Sequence, residues 1–182
     1  MHQSSTSPCP AGPAGDRVVQ RPPLPRLADL TQFAALLDRQ LGLCRRQDLR
    51  AAVLLIEAEP EGRLSGALAE AAAAALLQAV GARLAGRVRG SDVLAQVGER
   101  QFGLVLMGAG RVEAETVRAR LHKALCGPYG IGEARLYAAL RMGVAVYRES
   151  GRTGRELSEA VEQVLRLGQG LAPPQALSVV GS

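Results

Sequence analysis

The stretch Ser91-Asp-Val-Leu-Ala-Gln-Val-Gly-Glu-Arg-Gln-Phe-Gly-Leu-Val-Leu-Met107 decides the fold. Two short apolar runs, Val93–Val97 and Phe102–Met107, are separated by Gly98-Glu99-Arg100. Strand-favouring residues on both sides of a glycine-bearing turn predict a β-hairpin. A long alanine-rich helical pattern precedes it and stops near Arg89-Gly90, and a second amphipathic stretch begins at Arg111.

Upstream of the helix, Ala51–Ile56 is an unbroken apolar run bounded by Asp48 and Glu57. It is too short for a buried helix and reads as a central strand. Glu57 and Glu59 follow at its C-terminal end, on one side of the chain by the two-residue period, and Pro60-Glu61-Gly62 breaks the strand. Leu64, Leu68, Ala72, Leu76, Val80, Leu84 and Val88 then recur every four residues, which predicts one long helix with a shallow face. An earlier helix spans Asp29 to about Arg46 through Phe33, Leu36, Leu37 and Leu41, with Asp29 and Gln32 as a capping box.

Downstream of the hairpin, Val112, Thr116, Val117, Leu121 and Leu125 form the expected buried stripe of a helix whose wet face carries Arg118, Arg120, His122 and Lys123. Cys126–Gly132 reads as a loop and Leu136–Tyr147 as a strand. Thr153-Gly-Arg-Glu156 is a capping box opening a last helix through Leu157, Val161, Val164 and Leu165. Residues 1–26, rich in Ser, Thr, Pro and Gly, are expected to be a disordered arm. Residues 27–169 form the folded domain and 170–182 a tail. The order gives an α+β fold, an α/β sandwich with a ferredoxin-like β-α-β-β-α-β core and extra N- and C-terminal helices. In that core the helices lie on one face of an antiparallel sheet.

With 47% apolar residues, 3% aromatics and no Trp, the core must rest on Leu, Val and Ala. The net charge of +5 favours an anionic partner. The arginines are scattered, however, and few aromatics are available for base stacking, so a nucleic-acid polymer is not expected. Cys9, Cys44 and Cys126 have no close-spaced partners, and neither they nor His2 and His122 make a zinc site. Free thiols in a reducing compartment are expected. No apolar run reaches the roughly 18 residues of a membrane span, and the N-terminus lacks the apolar core of a signal peptide. The expectation is a cytoplasmic protein with no direct membrane insertion.

Between Asp29 and Gln169 this order, joined to particular residues, resembles the GGDEF family of bacterial diguanylate cyclase domains. The family's L-D-x-D at the end of the first strand is matched by Ile56-Glu57-Ala58-Glu59. Its V-L-x-x-x-A-x-R-L helix end corresponds to Leu76-Leu77-Gln78-Ala79-Val80-Gly81-Ala82-Arg83-Leu84. Its R-x-x-D, five residues and G-G-[DE]-E-F appear as Arg89-Gly-Ser-Asp92, Val93–Val97 and Gly98-Glu99-Arg100-Gln101-Phe102. Arg141-Met142-Gly143-Val144 stands where the family has S-I-G-V.

The resemblance implies a Mg²⁺ site built from the first acidic residue of L-D-x-D and the acidic third signature position. Here these are Glu57 and Arg100, and the fourth signature position is Gln101 rather than Glu. Glu99 replaces the second glycine, Ser65 and Ala74 stand where the family reads guanine with Asn and Asp, and Gly168 stands where it has a lysine in the last helix. Phosphoryl transfer depends on metals and positioning, so no catalytic residue, metal or cofactor is expected. Glu57 and Glu59 default to strand-end surface carboxylates.

What the resemblance leaves is the family's inhibitory site for its product, cyclic di-GMP: Arg89 and Asp92 of R-x-x-D with Arg120 from the following helix. An arginine fork can bind guanine or phosphate with two hydrogen bonds. R-x-x-D also occurs at Arg26-Leu-Ala-Asp29 and Arg45-Arg-Gln-Asp48, so only its register with the hairpin counts. The same pair also reads as a surface ion pair of small value. Two functions are carried forward. One is a catalytically inactive cyclic di-GMP receptor acting on an unidentified protein partner. The other is a ligand-free scaffold for protein interaction or homodimerisation.

Overall fold

The computed structural model describes residues 23–61 and 69–168. Leu64, Ser65 and Leu68, the first 22 residues of the expected arm and the whole expected tail lie outside them.

The chain runs β1 (Arg26–Leu27), α1 (Leu30–Gln47), β2 (Ala51–Pro60), α2 (Ala69–Ala85), β3 (Val93–Val97), β4 (Gln101–Met107) and α3 (Arg111–Leu125). It continues through β5 (Tyr129–Ile131), β6 (Ala134–Leu136), β7 (Ala138–Val146) and α4 (Gly154–Leu167). One sheet has the order β1-β3-β4-β2-β7, with β1 parallel to β3 and every other pair antiparallel. The β-α-β-β-α-β core is β2-α2-β3-β4-α3-β7.

β2 is apolar throughout its first half because both of its faces are covered. Ala52, Leu54, Ile56 and Ala58 pack with Leu76, Val80 and Leu84 of α2 and Leu121 and Leu125 of α3. Val53 and Leu55 pack on the opposite face with Phe33, Leu37 and Leu41 of α1 and Leu157, Val161 and Leu165 of α4. The core helices thus lie on one face, and the extra terminal helices cover the other.

Several boundaries differ from the sequence reading. β2 continues past Ile56 to Pro60 because Glu57–Pro60 pair with Arg141–Ala138 of β7. α2 ends at Ala85 rather than Val88, with Gly86 and Arg87 closing its last turn on Ala82 O and Leu84 O. The expected loop after Cys126 contains β5, and the expected strand from Leu136 breaks at Tyr137, so that β5 and β6 form a small hairpin of their own. Tyr129 anchors it: its ring is buried under the Arg83 guanidinium (3.7 Å), and its hydroxyl donates to Leu125 O (2.8 Å).

Three stripe residues are on the outside, Thr116 of α3 among them. Val112 is 77% exposed, and in that first turn of α3 it is Ala114, followed by Leu121 and Leu125 farther along, that faces inward. Val164 is also exposed on α4.

The expected arm folds in before Arg26. Gln96 N donates to Pro25 O (2.8 Å), and Arg26 and Leu27 pair with Gln96 and Val97, satisfying the open edge of β3. The caps form as read, with one change. Asp29 Oδ1 accepts from Gln32 N (2.9 Å), while Gln32 Oε1 accepts from Ala28 N rather than from Asp29. Among the described residues no helix is long and apolar enough to cross a membrane.

Candidate functional site

The β3–β4 hairpin has two ends, and each carries a candidate site. At its open end, Arg89-Gly90-Ser91-Asp92 is a closed turn. Asp92 N donates to Arg89 O (3.1 Å), and Arg89 N donates to Asp92 Oδ2 (3.0 Å). The carboxylate thus caps its own turn, and no ion pair joins it to the Arg89 side chain. Among the described residues the Arg89 guanidinium has no hydrogen-bond or ion-pair partner. Arg120 approaches from α3, anchored by Nη2 donating to Arg87 O (3.4 Å). Arg89, Asp92 and Arg120 line one cavity of about 280 Å³. Its other wall is the end of β4 and the start of α3, including Met107, Val112, Glu113 and Thr116. Backbone N–H groups, chiefly at the start of α3, hold the Glu113 carboxyl below the usual carboxylate range.

At the turn end, Gly98 adopts a left-handed backbone (φ 61°), the conformation glycine permits without a steric cost. Glu99 has no such backbone and accommodates a side chain there. Arg100 Nη1 donates to Glu59 Oε1 at 3.1 Å. Arg141, directly opposite Glu57 in the β2–β7 register, places Nη2 2.5 Å from Glu57 Oε2 and 3.8 Å from Glu59 Oε1. Glu57 Oε2 is buried and lacks a well-aligned hydrogen bond, so this ionic contact meets its charge. Beside the cluster lies a crevice of about 600 Å³ between α2, Arg26–Ala28 and Gly98–Arg100. Ala74, one of the two positions where the resemblance places guanine-reading side chains, lines it with a methyl group.

A hard divalent cation takes several oxygen ligands. Here both nearby carboxylates are matched by guanidinium groups, and among the described residues no three acidic, His or Cys side chains converge. This donor set does not fit Mg²⁺. Arg141 is the residue that the sequence reading overlooked. Its only signal was an arginine at the serine position of S-I-G-V, and the contact with Glu57 becomes visible only once the two strands are in register.

The family profile described as "Diguanylate cyclase, GGDEF domain" matches residues 23–168. The chain belongs to that family. The GGDEF-like recognition made on Ile56–Glu59, Arg89–Asp92 and Gly98–Phe102 is thereby borne out, as is the α+β fold. A curated relative, the bifunctional diguanylate cyclase/cyclic di-GMP phosphodiesterase MucR of Pseudomonas aeruginosa, is 27% identical over 121 residues. The match covers 66% of this chain and 18% of MucR, so the chain spans less than a fifth of that relative's length.

The GGDEF domain of YfiN (TpbB) from Pseudomonas aeruginosa superposes with a TM-score of 0.73 at 22% identity, covering 82% of this chain and 92% of that one. The GGDEF domain of DgcB from Caulobacter crescentus, solved in complex with c-di-GMP, gives a TM-score of 0.65 at 13% identity, covering 87% and 94%. At such identities the superpositions establish the fold.

Proposed function

We propose that this GGDEF domain does not cyclise GTP and instead serves as a cyclic di-GMP receptor, with Arg89, Asp92 and Arg120 holding the dinucleotide. The observation that carries this reading is the cavity of about 280 Å³ that all three residues line, with the Arg89 guanidinium unpaired among the described residues. The cavity is small beside the roughly 300–1,000 Å³ of ordinary ligand pockets. It would therefore seat one guanine end and leave the rest of the ligand at the surface. Arg89 offers two parallel donors to guanine O6 and N7 or to a phosphate. The Asp92 oxygen not used by the turn can accept from the guanine N1–H and N2–H₂ edge. Occupancy would bias contact with a protein partner.

Inactivity as a cyclase rests on the other end of the hairpin. Mg²⁺ would have to displace Arg100 from Glu59 and Arg141 from Glu57 before it found a ligand.

Calorimetric titration with cyclic di-GMP, with GTP as control, tests the reading. Micromolar or tighter binding that disappears in Arg89→Ala supports it, and silence with both nucleotides refutes it. The second reading, a ligand-free scaffold or homodimer, draws on Val164 and Leu167, exposed about one turn apart on α4. Turnover of GTP to cyclic di-GMP with Mg²⁺ would overturn the inactive assignment.

A further inference from the structure

The cavity at the open end of the hairpin is lined by the charged side chains Arg89, Asp92 and Arg120 and, from the end of β4 and the start of α3, by apolar ones that include Met107 and Val112. Val112 is the most exposed of the large apolar side chains among the described residues, at 77%. A single exposed valine is ordinary on a protein surface. What sets this one apart is that it lines the same cavity as Arg89 and Asp92.

The polar groups around it are already committed. The Thr116 hydroxyl donates back to Val112 O (2.9 Å). Glu113 Oε2 accepts from Gly110 N (3.0 Å), and Oε1 lies 3.6 Å from Arg50 Nη2. With those groups spent on the helix and its cap, this wall offers a ligand apolar surface.

We infer that Val112 is a specificity-determining residue: the shelf against which the flat face of the ligand's purine rests while Arg89 and Asp92 bind its edge. The inference rests on the receptor reading and extends it. Recognition at this site would require a ring as well as an anion, so phosphate groups alone would not fill it. Apolar contact between the ring and the valine removes surface from water on both partners.

The test titrates cyclic di-GMP into the wild-type chain, Val112→Leu, Val112→Ala, Val112→Asp and Arg89→Ala, with the thermal midpoint of each recorded. Val112→Leu should bind within about twofold of wild type, because the apolar surface is kept and the added methylene has open space around this exposed position. Val112→Ala should weaken binding roughly fivefold through lost apolar contact. Val112→Asp should weaken it by more than about tenfold, because it sets a carboxylate against an anionic ligand. The midpoints should not move, since the side chain packs on little in the free protein. Wild-type affinity in both Val112→Ala and Val112→Asp, with Arg89→Ala silent, would overturn the shelf and leave the receptor reading standing. A silent wild type would remove both.

Discussion

Arg141 Nη2 lies 2.5 Å from Glu57 Oε2, and the two residues are direct cross-strand partners between β7 and β2. The Glu57 side chain is only 16% exposed, so this pairing is unlike the surface ion pairs elsewhere in the chain. Arg141→Ala strands a mostly buried carboxylate and should cost about 1–3 kcal/mol. Arg155→Ala removes an exposed helix pair with Glu159 and should cost under about 0.5 kcal/mol. Urea midpoints of the two variants check the contrast. Equal losses would mean that burial adds nothing to the Glu57 pair.

Restoring an acid to the signature should not restore a cyclase. In Arg100→Glu the position regains a carboxylate, but Arg141 still occupies Glu57 and Glu99 still fills the second-glycine position. We expect no cyclic di-GMP from GTP and Mg²⁺, and no thermal shift of the variant on adding Mg²⁺. Product formation from this single change would show that Arg100 alone blocks the reaction.

Stability should fall in acid through the two helix-capping glutamates. Backbone N–H groups of Arg152 and Thr153 hold the Glu156 carboxyl below the usual range, and those of Glu113 and Gly110 do the same for Glu113. A depressed folded-state value means that the ionised form is favoured by folding. Its contribution is therefore complete above about pH 4.5, the ordinary glutamate value, and is lost as pH drops further. The thermal midpoint of Glu156→Gln should vary less with pH between 4.5 and 3 than that of wild type. A parallel pair of curves would remove Glu156 from the acid limb.

Gly154 fixes the distance between α1 and α4. A Cβ there would run into Ala34 O and meet Asp38 N at 2.9 Å, and Gly154 N donates to Asp38 Oδ1 at 2.7 Å. Gly154→Ala must push backbone from backbone, at a cost of about 3 kcal/mol. A chemical-denaturation midpoint close to wild type would show that the two helices slide apart freely.

The β3–β4 hairpin, the central run Ala51–Ile56 and the Thr153 cap were legible because each is encoded within a few neighbouring residues. The β5–β6 hairpin was hidden because its strands are three residues each and depend on Tyr129 packing under Arg83, far away in sequence. Val112 fitted the helical period, yet a four-residue period with small side chains does not reveal that Ala114, and not Val112, turns inward at the start of α3. The convergence of Arg89, Asp92 and Arg120 was anticipated through family spacing. The Arg141–Glu57 contact needs the relative register of two strands separated by most of the domain, which no local pattern supplies.

The cluster at the signature turn combines two guanidinium groups with two carboxylates, so its charges cancel. A balanced quartet projects little field beyond a Debye length, about 8 Å at physiological salt. The open end of the hairpin, five residues or about 17 Å along β3, instead presents Arg89 and Arg120 beside Asp92, with the Glu113 carboxylate of the same cavity met by Arg50. An anion diffusing toward this surface is therefore drawn to the open end rather than to the crevice beside the signature turn, and salt should slow its arrival there.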